Sequence, residues 1–317
     1  MTTTAPGRRT VGIVVVIAVA VAAAAFWALR ADADDARIPA SVIDADTRMG
    51  GVELAVADVD AMRSFYTSSL GLEVLSESDG AVALGADGQE IIRLVAADGP
   101  STSPADAGLY HAAILYPDGP ALARALVGMF STAGHLYGGS ADHAVSEAFY
   151  FSDPEGNGLE LYIDTPRQDW VWDDGQVQMG SAPLDPNAFI SEHLYGTTSG
   201  EVTTGHVHLK VGDLDAARDF YVDLLGFAVT AESDGALFMA AGGYHHHLAV
   251  NTWTSAGAGE RPATLGLGSF TVMVPAQADI QDAAARLDAA GYEYMTVDGG
   301  LVLDDPWGTT VRLRTEG

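Results

Sequence analysis

The chain has 317 residues, room for about two domains, and its 48% hydrophobic content with 36 glycines suits an ordered, turn-rich globular protein rather than a disordered one. Cysteine is absent, which excludes disulfides, thiolate metal sites and cysteine nucleophiles, so any metal must be held by histidine and carboxylate. The formal charge of −28, from 43 acidic against 15 basic residues, argues against nucleic acid as a partner and bears on solubility rather than mechanism.

In chain order, residues 11–29 (VGIVVVIAVAVAAAAFWAL) come first, a run of 19 uncharged, almost wholly apolar positions. At ~1.5 Å per residue such a helix would cross most of a ~30 Å hydrocarbon core. Arg8 and Arg9 precede the run, and Arg30 followed by Asp32, Asp34 and Asp35 succeeds it. That asymmetry predicts the amino terminus inside and the bulk of the protein outside. The expectation is a membrane anchor over 1–30, with the catalytic domains outside the cytoplasm. The alternative is an exported chain cleaved as a signal peptide near Ala31-Asp32-Ala33. Residues 31–48 then read as a polar tether.

Beyond the tether the chain repeats itself. DVDAMRSFYTSSLGLEVLSESDGA at 58–81 reappears as DLDAARDFYVDLLGFAVTAESDGA at 213–236, an offset of 155 residues. Each copy follows an alternating strand, VELAV at 52–56 and VHLKV at 207–211, and continues through a helix and a Leu-Gly turn into further strands. A second pair matches more loosely. YHAAILYP at 110–117, a helix over 119–133 and DPEGNGLELY at 153–162 parallel SFTVMVP at 269–275, a helix over 278–290 and DPWGTTVRLR at 305–314.

The predicted class is therefore α+β: four βαβββ modules, at about 49–97, 108–164, 204–252 and 266–315, pairing into two curved mixed-sheet half-barrels, with the amino-terminal transmembrane helix added. The linear domains are 49–164 (modules one and two) and 204–317 (modules three and four), linked by 165–203. Phe65-Tyr66 and Phe220-Tyr221 read as core residues of their helices. Trp170 and Trp172 in the linker read as packing residues, with cover for a pocket mouth as a second use.

The nine histidines are not scattered: all lie between 111 and 247, most of them on predicted strands of modules two and three. Counted five residues before the valine or tyrosine that ends each first strand, the four modules carry Gly51, His111, His206 and Ser269. After the DPxG turn, the final strands of modules two and four carry Glu160 and Arg312. Ligand-type residues thus fall in modules two and three alone, and Arg312 would repel a cation. Two imidazoles and one carboxylate on adjoining strands form the facial triad that leaves three positions open on Fe(II), with Mn(II) as the alternative ion. His208 alternates with His206 and reads equally as a pocket or a structural residue; His245 and His247 flank His246 and should mostly face away from it.

At these motifs the region 49–315 resembles the vicinal oxygen chelate superfamily, and within it the extradiol catechol dioxygenases of the 2,3-cleaving type. HAVSEAFYFSDPEGNGLE at 143–160 is similar to the extradiol signature, departing from it at Ala141, where the family carries Gly, Asn, Thr, Ile or Val. The resemblance implies metal ligands at His111, His206 and Glu160, and an acid-base histidine at His246 within YHHHLAV. It also implies hydrogen bonds from His143 and Tyr150 to bound substrate or oxygen. Catechol or a substituted catechol and O2 would be the reactants, and a homo-oligomer is left open. The signature module comes second and its complement third, so modules two and three must pair, leaving one and four as a metal-free unit. Two alternatives stand beside this reading. A glyoxalase-like isomerase or transferase would need a fourth protein ligand that none of Gly51, Ser269 and Arg312 supplies. A metal-free binding protein of the bleomycin-resistance type would not need the clustered histidines.

Overall fold

The computed structural model describes residues 38–315 apart from 79 and 263. Module one comprises β1 (Arg48–Val56), α1 (Val59–Leu70), β2 (Glu73–Ser78), β3 (Ala81–Ala86) and β4 (Gln89–Ala96). Module two comprises β5 (Gly108–Leu115), α2 (Gly119–Ala133), β6 (Tyr137–Asp142), β7 (Ser146–Ser152) and β8 (Gly158–Asp164). The linker forms three two-residue strands, β9 (Trp172–Asp173), β10 (Gln176–Val177) and β11 (Ala182–Pro183), then α3 (Pro186–His193). Module three runs through β12 (Thr203–Lys210), α4 (Leu214–Arg218), β13 (Ala228–Ser233), β14 (Ala236–Ala240) and β15 (Leu248–Asn251). Module four closes the chain with β16 (Gly266–Val274), α5 (Gln277–Ala290), β17 (Met295–Val297), β18 (Gly300–Asp304) and β19 (Thr310–Thr315).

Aspartates start three of the module helices. Asp58, Asp118 and Asp213 each accept from the backbone N–H three residues on, which satisfies a donor that the helix itself cannot. Module one's helix stops at Gly71, which adopts the left-handed conformation with φ 73°. In module three the corresponding helix widens after α4 into a π-helical stretch, Asp219–Leu224, closed by Leu225 N–H to the Phe220 carbonyl.

Two sheets hold the modules together. One has the order β17-β18-β19-β16-β1-β4-β3-β2, the other β11-β6-β7-β8-β5-β12-β15-β14-β13. The first joins modules one and four; the second joins two and three. In each sheet the two first strands meet antiparallel at the centre, and each pairs in parallel with its own module's last strand. Each linear half of the chain thus contributes one module to each sheet.

Consecutive modules are fastened by a different contact. The Tyr66 hydroxyl of α1 donates to Asp153 in the DPEG turn of module two at 2.9 Å. The Tyr221 hydroxyl donates to Asp305 in the DPWG turn of module four at 2.8 Å. All four side chains are buried, and each aspartate's other oxygen accepts two backbone N–H groups of its own turn, so the pair is fully satisfied. The FY motif therefore does more than fill the core: it carries the hydroxyl that ties one sheet to the other.

The transmembrane helix included in the expected fold is corrected here, together with the localisation that rested on it. Among the described residues no helix is long and apolar enough to cross a membrane. The longest, α2, has 15 residues, about 22 Å, and turns one face to the core. Residues 11–29, which carried the expectation, lie outside the described residues. The architecture that remains is two mixed sheets built of βαβ-type modules, and no membrane-anchored placement is carried forward.

Candidate metal centre

The sheet of modules two and three, called the inner sheet, that of modules one and four being the outer, brings the singled-out side chains together through its register. At the central seam His208 lies opposite His111 and His206 opposite Ala113, while parallel pairing of β5 with β8 sets Ala113 beside Glu160. Alternation along strands then points 111, 206, 208 and 160 to one face. Their neighbours Ala112, Ile114, Val207, Leu209, Leu159 and Leu161 enter the hydrophobic core on the other. Gly205 allows the close approach behind His206, because a Cβ there would stand 1.8 Å from the Tyr162 hydroxyl.

Three donor atoms converge. His111 Nε2 lies 2.9 Å from Glu160 Oε2, His206 Nε2 lies 3.1 Å from the same oxygen, and the two nitrogens are 3.2 Å apart. All three residues are buried. Among the described residues they are the only His/Asp/Glu group that meets the geometry of a cation site. Ligands about 2.1 Å from a metal in adjacent octahedral positions stand about 3.0 Å apart, which is the spacing found. Lone pairs aimed at one point repel unless a cation or protons lie between them, so the donor set fits a divalent ion bound on one face.

The surroundings keep Glu160 an anion. Burial alone would raise the Glu160 carboxyl, but the His206 and His111 imidazoles outweigh it and hold it well below the usual carboxylate range. Burial lowers the His206 imidazole against the pull of Glu160. Its Nδ1 is buried with no hydrogen-bond partner.

The remaining expected residues gather around the same place. The His246 ring packs on His206 with centroids 4.2 Å apart. Burial, reinforced by the surrounding histidines, pushes its pKa well down. The Tyr150 hydroxyl and His143 Nε2 are 2.7 Å apart, and His143 Nδ1 donates to the Gly180 carbonyl at 2.7 Å. Nε2 of a neutral His143 is thereby left to accept from the Tyr150 hydroxyl. Burial, then the charge of Glu160, raises Tyr150 above the ordinary tyrosine range, so its hydroxyl stays protonated.

A cavity of about 710 Å³ opens over the centre, with His111, Glu160, Tyr150, His143 and His246 in its wall and His206 beneath them. Other residues contribute: sequence reasoning left His208 open between a pocket and a structural role, and it missed the linker wall and Asp164. His208, opposite His111, lines the cavity and has its Nε2 3.0 Å from the Asn251 amide. Gln176–Gly180 of the linker form one wall. Trp170 packs with Val145, Val177 and Ala231 in a small separate cluster rather than over the mouth. Asp164 contacts His245 at 2.9 Å; strand alternation from Glu160 through Tyr162 was the signal that placed it on this face.

Fold and donor set point to a vicinal oxygen chelate protein: paired βαβββ modules whose central strands present a small face of histidine and carboxylate donors. A family model described as the glyoxalase/bleomycin resistance protein/dioxygenase superfamily matches residues 48–161 and 203–313, and the chain belongs to that superfamily. Among curated proteins it is 36% identical over 275 residues to catechol-2,3-dioxygenase of Bacillus subtilis (strain 168), covering 83% of this chain and 95% of the relative. It is 28% identical over 256 residues to biphenyl-2,3-diol 1,2-dioxygenase of Paraburkholderia xenovorans (strain LB400), covering 77% and 76%. Glyoxalase I of Zea mays shares the fold, with a TM-score of 0.50 at 18% identity over 84% of this chain and 92% of that one.

Proposed function

We propose that the protein is an extradiol dioxygenase that adds both atoms of O2 to a catechol and breaks the ring bond next to the diol, with Fe(II) held by His111, His206 and Glu160. The observation that carries this reading is the triangle of donor atoms, 2.9–3.2 Å on a side, facing a cavity shared with His246, Tyr150 and His143. When bound, Fe(II), or Mn(II) in its stead, would acidify the diol and pass electrons between the ring and O2.

The chain's own residues supply the rest. Glu160 contributes the one negative charge of the ligand set, and its two neutral imidazole neighbours add none. His246 lies where a diol hydroxyl would enter; burial keeps it neutral, ready to take a proton and return it when the ring opens. Tyr150 and His143 line the same cavity, and the Tyr150 hydroxyl, turned from His143 toward bound oxygen, would donate where negative charge develops. All the oxygen and electrons come from the two reactants, so no further reductant is needed.

The cavity wall also supports a substrate class. It contains Tyr110, Phe238 and Trp253 and the acid Glu232, but neither Lys nor Arg. A carboxylate on the ring would meet Glu232 and find no cation among the lining residues to pair with. The reading is therefore a catechol with uncharged, apolar substituents. A glyoxalase-like isomerase needs a fourth protein ligand, and among the described residues none joins the three.

The test is anaerobic loading with Fe(II), then catechol, 3-methylcatechol or 3,4-dihydroxybenzoate with oxygen, followed by absorbance. A yellow ring-fission product from the uncharged catechols is expected, with little from the carboxylated one. No product from any of them would sink the dioxygenase reading, and efficient cleavage of the carboxylated ring would sink the substrate class alone.

A further inference from the structure

We infer that Asp164 and His245 are positioning residues that fix the tautomer of His246, so that its Nε2 faces the cavity as a lone pair. This rests on the proposed role of His246 as the base, but the chain of hydrogen bonds stands independently of it. His245 Nε2 lies 2.9 Å from Asp164 Oδ1, and His245 Nδ1 lies 2.8 Å from His246 Nδ1. The same Asp164 oxygen accepts from the Tyr244 hydroxyl at 3.1 Å, and the Tyr244 oxygen in turn lies 2.8 Å from the Tyr162 hydroxyl.

Direction follows from chemistry. A carboxylate only accepts, so His245 donates from Nε2. With a single N–H on the His245 ring, used toward Asp164, its Nδ1 is left as an acceptor. His246 must then donate from Nδ1, and its Nε2, which has no protein partner among the described residues, is the lone pair. The opposite tautomer would present an N–H to the substrate and could not take its proton.

Packing holds the chain still. The His245 ring is fully buried, 4.1 Å from Tyr244 and 5.2 Å from Trp170 between centroids. Thr230 donates to the His245 carbonyl at 2.5 Å. Strand β8 thus carries a ligand carboxylate at Glu160 and, four residues on, an orienting carboxylate at Asp164. The linker tryptophan acquires a purpose too, as one wall of the slot that keeps His245 upright.

The test reads the tautomer directly. In the full-length protein with 15N-labelled histidine, long-range 1H–15N spectra of the metal-free form should show His246 protonated on Nδ1 and bare on Nε2. Asp164→Asn replaces an acceptor with an amide that can donate, which reverses the chain and moves the His246 proton to Nε2. The iron-loaded variant should keep its metal content and KM and lose about 100-fold or more in kcat, in line with the effect of a wrong tautomer in other orienting triads. Asp164→Glu should restore part of the loss, and Tyr244→Phe, which leaves the acceptor in place, should keep the wild-type tautomer. A wild-type His246 protonated on Nε2 would overturn the inference whether or not any variant folds. So would an Asp164→Asn protein whose His246 tautomer and kcat are unchanged. If the tautomers behave as expected while no catechol is cleaved, it is the dioxygenase reading that fails.

Discussion

The two sheets share one frame, and three matching positions in their hollows carry opposite chemistry. In the inner sheet the hollow presents His111, His206 and Glu160. In the outer sheet the same places carry Ser269, Gly51 and Arg312, with Thr271 beside Arg312 as Ala113 is beside Glu160. The outer hollow is as large, about 690 Å³ against about 710 Å³, so room does not separate them. Charge does. Arg312 Nε donates to Ser269 Oγ at 3.0 Å and its guanidinium stands 4.0 Å from Glu53, so the protein's own cation occupies the outer hollow. The βαβββ pair supplies a cavity in either sheet, and three side chains set the charge and donors it presents.

The contrast can be broken most sharply at Glu160. Glu160→Ala removes the only negative ligand, and the expectation is loss of bound iron with activity down roughly 1000-fold or more, about 4 kcal/mol. Metal analysis after dialysis checks it. His246→Ala should lose activity by roughly 100- to 10,000-fold while retaining iron, because the proposed base lines the cavity and is not one of the three converging donors. Equal metal loss in both variants would mean that ligand and base had been misassigned.

Acid should separate the sheets next. Burial, then neighbouring His245 and His206, pushes the His247 imidazole down to about 3 from an ordinary 6.5, and its Nδ1 accepts from the Ala241 N–H at 3.2 Å. Between those values the unfolded chain binds the proton and the folded one does not. Stability is therefore full above pH 6.5 and declines as pH falls toward 3, by about 2 kcal/mol from this residue between pH 7 and pH 5. Urea midpoints at the two pH values measure it, and His247→Asn, which keeps an acceptor, should remove that portion of the slope. Smallest is the outer site. Arg312→Met should change stability by less than about 1 kcal/mol and leave ring cleavage intact, since a half-exposed pair at 4.0 Å is worth little.

Much of this was legible in the sequence, for identifiable reasons. The repeat at 58–81 and 213–236 marked the modules, and strand alternation placed His111, His206 and Glu160 on one face. The Tyr66–Asp153 and Tyr221–Asp305 bonds were not legible, because each joins modules in different sheets and periodicity encodes only faces within one. The matching helices also concealed a difference: the same DxDAxR start gives an α-helix at α1 and a π-helical turn after α4. The cavity wall at 176–180 was hidden because strands of two residues have no period to read. Asp164 was readable by alternation but lay beyond the signature that drew attention to Glu160.

The interleaving of modules has a consequence for biosynthesis. Strands leave the ribosome in order, and the inner sheet has all of its modules once Asn251 is made. β1, the first strand described, must wait for β16, since Val52 pairs with Phe270. The ligand-bearing half-barrel can therefore close while the module that precedes it is still without a sheet partner. During translation it is the scaffold, rather than the reactive hollow, that depends on the carboxyl-terminal end of the chain.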